Sequence, residues 1–123
     1  MTTAAERRDR ATSEAELQRL VTDMAELYGW EWVHFRPART DKGWRTPVSG
    51  PLGKGWPDLV LVRERDRRIL FVELKREGGV LSEHQADVLL SLATIAVDSC
   101  LGLAVHVWWP SLVTSGEVER LLR

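Results

Sequence analysis

The chain has 123 residues, of which 44% are hydrophobic and 28% are charged, and its formal net charge is −1. These values predict one compact water-soluble domain; no apolar run is long enough to span a bilayer, and residues 1–10 lack the apolar stretch of a secretory signal. The single cysteine, Cys100, excludes an internal disulfide and a cysteine zinc site and fits a reducing cytoplasm.

The N-terminal third predicts a helix followed by a strand. Residues 1–12 show no periodic apolar pattern, so we predict a flexible or loosely helical segment there. Ser13 is a suitable N-cap, and apolar residues recur at helical spacing up to Tyr28, where Gly29 provides a stop. Residues 30–36 are rich in aromatic and β-branched side chains and predict a strand.

Residues 37–57 predict a long loop without regular structure, because they hold four of the five prolines and four of the nine glycines. They lie within a basic segment, residues 36–76, which contains 11 lysines and arginines but only 5 acidic residues. Such a segment predicts phosphate binding, and the alternative is a solvated loop that happens to be basic. Trp44 and Trp56 either stack on bases or cap the edge of the core.

Residues 55–63 and 69–75 contain two apolar runs that flank a charged turn, and they predict a β-hairpin in the middle of a sheet that is covered on both faces. A turn near Asp66 brings Asp58 opposite Glu73 or Lys75, and period-two alternation places all three charged groups on one face. Two carboxylates suit a hard cation such as Mg²⁺, which polarises a phosphate and activates water. A lysine beside them can orient that water, so the pattern predicts metal-assisted phosphodiester cleavage.

The last third predicts a helix, a strand and a short final helix. Ser82 and Gln85 have the spacing of a capping box, and the helix that they open runs to about Val97. That helix is apolar around much of its circumference, so we expect it to be largely buried. Residues 103–109 predict a strand and residues 115–122 a helix. The order αβββαβα indicates an α/β fold with a mixed central sheet flanked by helices.

The motif residues resemble a known family. Asp58 with Glu73-Leu74-Lys75 matches the PD-(D/E)xK nuclease signature, and Gly55-Trp56-Pro57-Asp58 together with Leu81-Ser82-Glu83-His84-Gln85 resembles its VRR-NUC branch, common in phage and bacterial genomes. The resemblance extends from about Ser13 to the C-terminus. It implies a single nuclease domain over residues 13–123 with a restriction-endonuclease-like core.

The resemblance also implies the composition of the site. Asp58, Glu73 and the backbone carbonyl of Leu74 would bind Mg²⁺, which Mn²⁺ could replace, and Lys75 would assist the attacking water. A further acid comes from the first helix of such nucleases. Glu14 has the family's spacing to Gln18, and Glu16 is the competitor. Gln85 matches a glutamine that the family places near its active site, and it can serve the capping box as well.

The resemblance implies DNA as the partner. The expected substrate is branched or flapped DNA, such as a Holliday junction in DNA repair, cut by a homodimer in the cytoplasm of a bacterial cell or phage-infected host. The alternatives are a non-cleaving nucleic-acid-binding module and a regulatory subunit of a phage replication or repair complex. The residues expected to contact nucleic acid are Arg36, Arg39, Lys42, Arg45, Lys54 and Arg76.

Overall fold

The computed structural model describes residues 1–35, 38–45, 48–98 and 102–123. Its helices are α1 (Ala4–Ala11), α2 (Glu14–Leu27), α3 (Glu83–Asp98), α4 (Pro110–Thr114) and α5 (Glu117–Leu122). Its strands are β1 (Glu31–His34), β2 (Ala38–Thr40), β3 (Gly43–Arg45), β4 (Leu59–Arg63), β5 (Arg68–Leu74) and β6 (Gly102–Trp108). Two 3₁₀ turns, Gly53–Gly55 and Glu64–Asp66, precede and follow β4. No described helix has the length and apolar character needed to cross a membrane.

The main sheet has four strands in the order β1-β4-β5-β6. β4 is antiparallel to β1 and to β5, whereas β6 is parallel to β5 and follows α3. The predicted hairpin, the parallel crossover and the mixed sheet flanked by helices are therefore confirmed. β4 and β5 occupy the two inner positions, as their apolar sequences predict.

The hydrophobic core lies between one face of this sheet and the helices α2 and α5. Leu59 and Leu61 of β4 point to it together with alternate residues of β5, and all are fully buried. Helix α2 contributes its predicted apolar stripe, with Ser13 accepting a hydrogen bond from the backbone of Glu16 as the N-cap. The remaining core members are Leu17, Val21, Ala25, Trp30, Leu70, Val72, Leu74, Trp108, Val118 and Leu122.

The opposite face of the sheet is only partly covered. Val62 and Ile69, which pair across the hairpin, are 41% and 38% exposed. The prediction that both faces are covered was therefore wrong at the hairpin end. The helix on this side, α3, contacts β6 and the 3₁₀ turn Gly53–Gly55, so it covers the other end of the sheet.

Helix α3 is also less buried than predicted. Val88 and Leu89 are buried, but Leu90, Ile95 and Val97 are 67%, 57% and 84% exposed. Only one side of the helix, with Val88 and Leu89, is buried. Among the residues that the structure describes, nothing covers the exposed apolar side chains of the helix. The expectation of a largely buried helix was therefore wrong.

Two segments have more regular structure than their sequences predicted. Residues 4–11 form a helix with a capping box between Thr3 and Glu6 and a buried Asp9 that accepts a hydrogen bond from Thr114. Within residues 37–57, expected to be one irregular loop, β2 and β3 form a two-stranded hairpin. Gly43 follows its turn with a φ of +97°, a conformation that glycine adopts without strain.

A buried arginine ties three parts of the chain together. Arg63 is 3% exposed. Its guanidinium donates two hydrogen bonds of 2.9 Å to Asp66 and one each, also of 2.9 Å, to the carbonyls of Tyr28 and Leu122. It also lies 4.4 Å from the centre of the Trp30 ring. These contacts compensate the cost of burying its charge and join the hairpin turn to the ends of α2 and α5.

Candidate active site

The β4–β5 hairpin places Asp58 opposite Glu73. Leu59 pairs with Val72, and one further step of this antiparallel register pairs Asp58 with Glu73. The backbone N–H of Leu74 donates to Oδ2 of Asp58 over 2.9 Å, which fixes the orientation of that carboxylate. Of the two registers that the sequence allowed, the structure has the one that joins the two acids.

Gly55 explains how the chain reaches Asp58. Its backbone lies directly against the first turn of α3, and a β-carbon at this position would overlap the carbonyl oxygen of His84. Only glycine permits this close approach. The segment Gly55-Trp56-Pro57 is therefore held on α3, and it delivers Asp58 to the start of β4.

Glu73 has an unusual environment for a carboxyl group. It is 1% exposed, and its Oε2 atom has no hydrogen-bond partner among the described residues. The pKa of Glu73 is raised to about 9, with burial as the largest cause; the hydrogen bond and the charge of Asp58 also raise it, and the charge of Lys75 lowers it. In the absence of a cation Glu73 therefore keeps its proton at neutral pH.

The residues present fit a divalent cation. Asp58 and the unpartnered oxygen of Glu73 are oxygen donors, the type that Mg²⁺ prefers. A cation there would replace the proton and remove the repulsion between the two carboxylates. The described part of the chain contains no group of three His, Cys, Asp or Glu side chains placed to hold a metal. The remaining ligands would be the Leu74 carbonyl and water, since Mg²⁺ usually keeps several waters.

Lys75 and Gln85 lie beside this pair. Lys75 is half-buried, and its positive charge lowers the pKa of Glu73. The Gln85 side chain donates from Nε2 to Oε1 of Glu73 over 3.3 Å, while its Oε1 accepts from the backbone N–H of Ser82 over 2.9 Å. Gln85 therefore serves the capping box and touches Glu73 at the same time.

The two candidate acids of the first helix have different environments. Glu14 is half-buried, and its negative charge contributes to the raised pKa of Glu73. Glu16 is exposed, and its carboxylate accepts a hydrogen bond from the Ser13 hydroxyl over 3.2 Å. Of these two acids, Glu14 is the one whose charge affects the pKa of Glu73.

The basic residues are only partly described. Lys42, Lys54 and Arg76 are exposed. The backbones of Arg39 and Arg45 form part of the β2–β3 hairpin. Arg36 and the side chains of Arg39 and Arg45 lie outside what the structure describes.

Phe35 is a neighbour of the site that the sequence did not identify. Its backbone N–H donates to the carbonyl of Asp58 over 2.7 Å, one step beyond the pairing of His34 with Leu59. The ring of Trp56 packs edge-to-face against Phe35 and Phe71, with centroids 6.1 and 5.6 Å away. Only the register between β1 and β4 could have revealed Phe35, and local sequence patterns do not encode that register.

The stability of the metal-free protein should fall as pH rises from about 4.5 to 9. Folded Glu73 has a pKa of about 9 against an ordinary value of 4.5, so in this range the folded state binds more protons than the unfolded chain. Glu73→Gln cannot ionise and should lack this contribution. Thermal melts at pH 5 and pH 8 in chelator measure the difference, and identical pH dependence in both proteins would contradict it.

Comparison with known protein families identifies a match. The model of the VRR-NUC domain matches residues 13–102, a segment that contains all five candidate side chains: Glu14, Asp58, Glu73, Lys75 and Gln85. No curated protein and no solved structure matches the chain.

Proposed function

The chain belongs to the VRR-NUC family of nuclease domains, and from that premise we propose that it is a Mg²⁺-dependent endonuclease that hydrolyses phosphodiester bonds in DNA. The observation that carries the proposal is the buried Oε2 atom of Glu73, which has no hydrogen-bond partner in the described chain and lies on the strand opposite Asp58. A cation at this point would give the buried oxygen a partner when Glu73 is ionised.

Each side chain then has a distinct role. Asp58, Glu73 and the Leu74 carbonyl would hold Mg²⁺ or Mn²⁺, which supplies positive charge to the phosphate and a more acidic water. The ammonium group of Lys75 orients the attacking water and stabilises the negative charge that grows on the phosphate. Gln85 holds the Glu73 carboxylate through its hydrogen bond. Glu14 adds negative charge near Glu73, which favours a bound cation.

We further propose that the substrate is branched or flapped DNA, such as a Holliday junction in DNA repair, and that the protein acts as a homodimer in the cytoplasm of a bacterial cell or phage-infected host. A junction requires two cuts, and one chain supplies one pair of carboxylates. Helix α3 exposes three large apolar side chains, Leu90, Ile95 and Val97. Single exposed apolar residues are common on protein surfaces, but several on one helix support a protein interface.

The test is a cleavage assay on branched, flapped, single-stranded and linear duplex DNA with Mg²⁺ or Mn²⁺. We expect cleavage that excess chelator abolishes. Full activity in chelator would exclude the metal-dependent mechanism. DNA binding without cleavage under all conditions would favour a non-cleaving module, and the absence of both would favour a regulatory subunit.

Replacing Arg39, Lys42 and Arg45 together by alanine should weaken DNA binding and reduce its salt dependence. These residues belong to the β2–β3 hairpin, and each lost phosphate contact should change the slope of log affinity against log salt by about 0.9. Fluorescence anisotropy from 50 to 300 mM salt measures the slope. The matched control replaces Arg7, Arg8 and Arg10 of α1. Equal slopes in the two variants would mean that the hairpin does not contact phosphates.

A further inference from the structure

An aromatic cavity lies beside the carboxylate pair. It has a volume of about 380 Å³ and is lined by Phe35, Val48, Ser49, Leu52, Gly53 and Trp56. This volume is within the range of small-molecule pockets, about 300–1,000 Å³. None of these six lining residues is charged, so the cavity is suited to a flat, weakly polar group and not to a phosphate.

The sheet register places this cavity next to the proposed reaction centre. Phe35 pairs with Asp58 through the backbone hydrogen bond of 2.7 Å, and Asp58 pairs in turn with Glu73. Directly opposite residues on antiparallel strands share a face, with β-carbons about 4.5–5.5 Å apart. One row across the sheet therefore contains Phe35, Asp58 and Glu73. Phe35, which lines the cavity, is one strand away from Asp58.

The two aromatic side chains form a corner. The rings of Phe35 and Trp56 meet at 86°, and the ring of Trp56 also packs edge-to-face against Phe71 at 85°. Both Phe35 and Trp56 are half-buried, and both line the cavity. A preformed corner of this kind can stack a planar group without first reorganising.

We propose that this cavity receives an unpaired nucleobase next to the scissile phosphate, so that the enzyme selects DNA with an unstacked nucleotide at the cleavage point. The inference rests on the proposed nuclease function. A phosphate bound to a cation between Asp58 and Glu73 would bring its own nucleotide close to Phe35, which pairs with Asp58, whereas a base inside a duplex is stacked and cannot enter. Aromatic side chains stack on bases of any sequence. Exposed Lys54, next to the lining residue Gly53, adds positive charge for an adjacent phosphate.

The experiment fills the cavity without disturbing the core. Leu52 is 49% exposed, so Leu52→Trp should fold and occupy the space meant for the base. Leu20→Trp is the matched control, because Leu20 is 48% exposed and lies on α2 outside the cavity. The DNA probes are a flapped duplex with 2-aminopurine as its first unpaired nucleotide and a fully paired duplex with 2-aminopurine at the same position.

We expect the wild-type protein and Leu20→Trp to quench the fluorescence of the unpaired 2-aminopurine and to cleave the flapped DNA faster than the paired duplex. Leu52→Trp should lose the quenching and reduce that preference about tenfold, the scale of losing one stacked base. Its cleavage of the paired duplex should stay at the wild-type rate.

Failure of this inference can be told apart from failure of the proposed function. Two outcomes would overturn the base-binding cavity and leave the nuclease function intact. In the first, the wild-type protein binds and cleaves the flapped DNA without quenching the probe. In the second, Leu52→Trp lowers the cleavage rates of both substrates equally. If the wild-type protein quenches the probe but does not cleave, and Leu52→Trp abolishes the quenching, the base-binding cavity is supported and the nuclease function is refuted. Absence of DNA binding would overturn both.

Discussion

Lys75→Ala should lower the single-turnover cleavage rate by about 10²-fold or more, the usual scale for losing one group that stabilises transition-state charge. Its affinities for Mn²⁺ and DNA should remain nearly intact. Metal binding requires the carboxylates of Asp58 and Glu73, and the ammonium group repels a cation. The phosphate gains negative charge only in the transition state, so the stabilisation by lysine appears in the rate and not in binding.

Calorimetric titration with Mn²⁺ and single-turnover cleavage of a labelled junction, made on the same preparations, separate these effects. Lys75→Arg should restore only part of the rate, because a planar guanidinium replaces a compact point charge. Arg19→Ala is the control, because Arg19 is an exposed cation of α2 outside the proposed site and the expected DNA contacts. Cleavage by Lys75→Ala at the wild-type rate, or a defect explained by lost DNA binding, would refute the catalytic role.

Asp58→Asn should abolish metal-dependent cleavage and leave the metal-free protein at least as stable as the wild type. The substitution removes one of the two carboxylates that would hold the metal. It also removes a charge that helps to raise the pKa of Glu73. Asparagine keeps an oxygen that can accept the hydrogen bond from the backbone N–H of Leu74. Above about pH 9, where Glu73 is ionised, relief of the repulsion should raise Tm by about 4 °C for each kcal/mol gained.

Thermal melts in chelator and in Mg²⁺ test this prediction. Wild-type protein should gain stability from Mg²⁺, and Asp58→Asn should gain less. Asp66→Asn is a useful control at the other end of the hairpin, where the carboxylate pairs with buried Arg63 and the loss of charge should lower Tm. A clear drop in the metal-free Tm of Asp58→Asn would mean that Asp58 is structural.

The carboxylate pair could be predicted from the sequence because it depends on local patterns. Two apolar runs with a charged turn between them predict a hairpin, and strand alternation places the acids on one face. The sequence left two registers open because the turn could be built in several ways. The structure has a 3₁₀ turn at residues 64–66 followed by Arg67 with a φ of 57°, and this turn pairs Asp58 with Glu73.

The remaining features depend on contacts between distant segments. Gly55 meets His84, and Phe35 meets Asp58, through packing that no local pattern records. Arg63 was counted with the basic segment, but its guanidinium is buried in a network of carbonyls. For α3, apolar composition predicted burial, yet composition does not specify whether the covering partner belongs to the same chain.

The Arg63 network shows that the folding unit is larger than the segment that defines the family. The family match ends at residue 102, whereas Arg63 and Trp30 both donate to the carbonyl of Leu122 in α5, over 2.9 and 2.8 Å. Val118 of α5 is also fully buried in the core. A protein cut at residue 102 would retain every proposed catalytic side chain, but it would expose that core and leave a buried guanidinium short of an acceptor. The side chains proposed for catalysis therefore lie within residues 13–102, whereas a stable fold also requires helix α5.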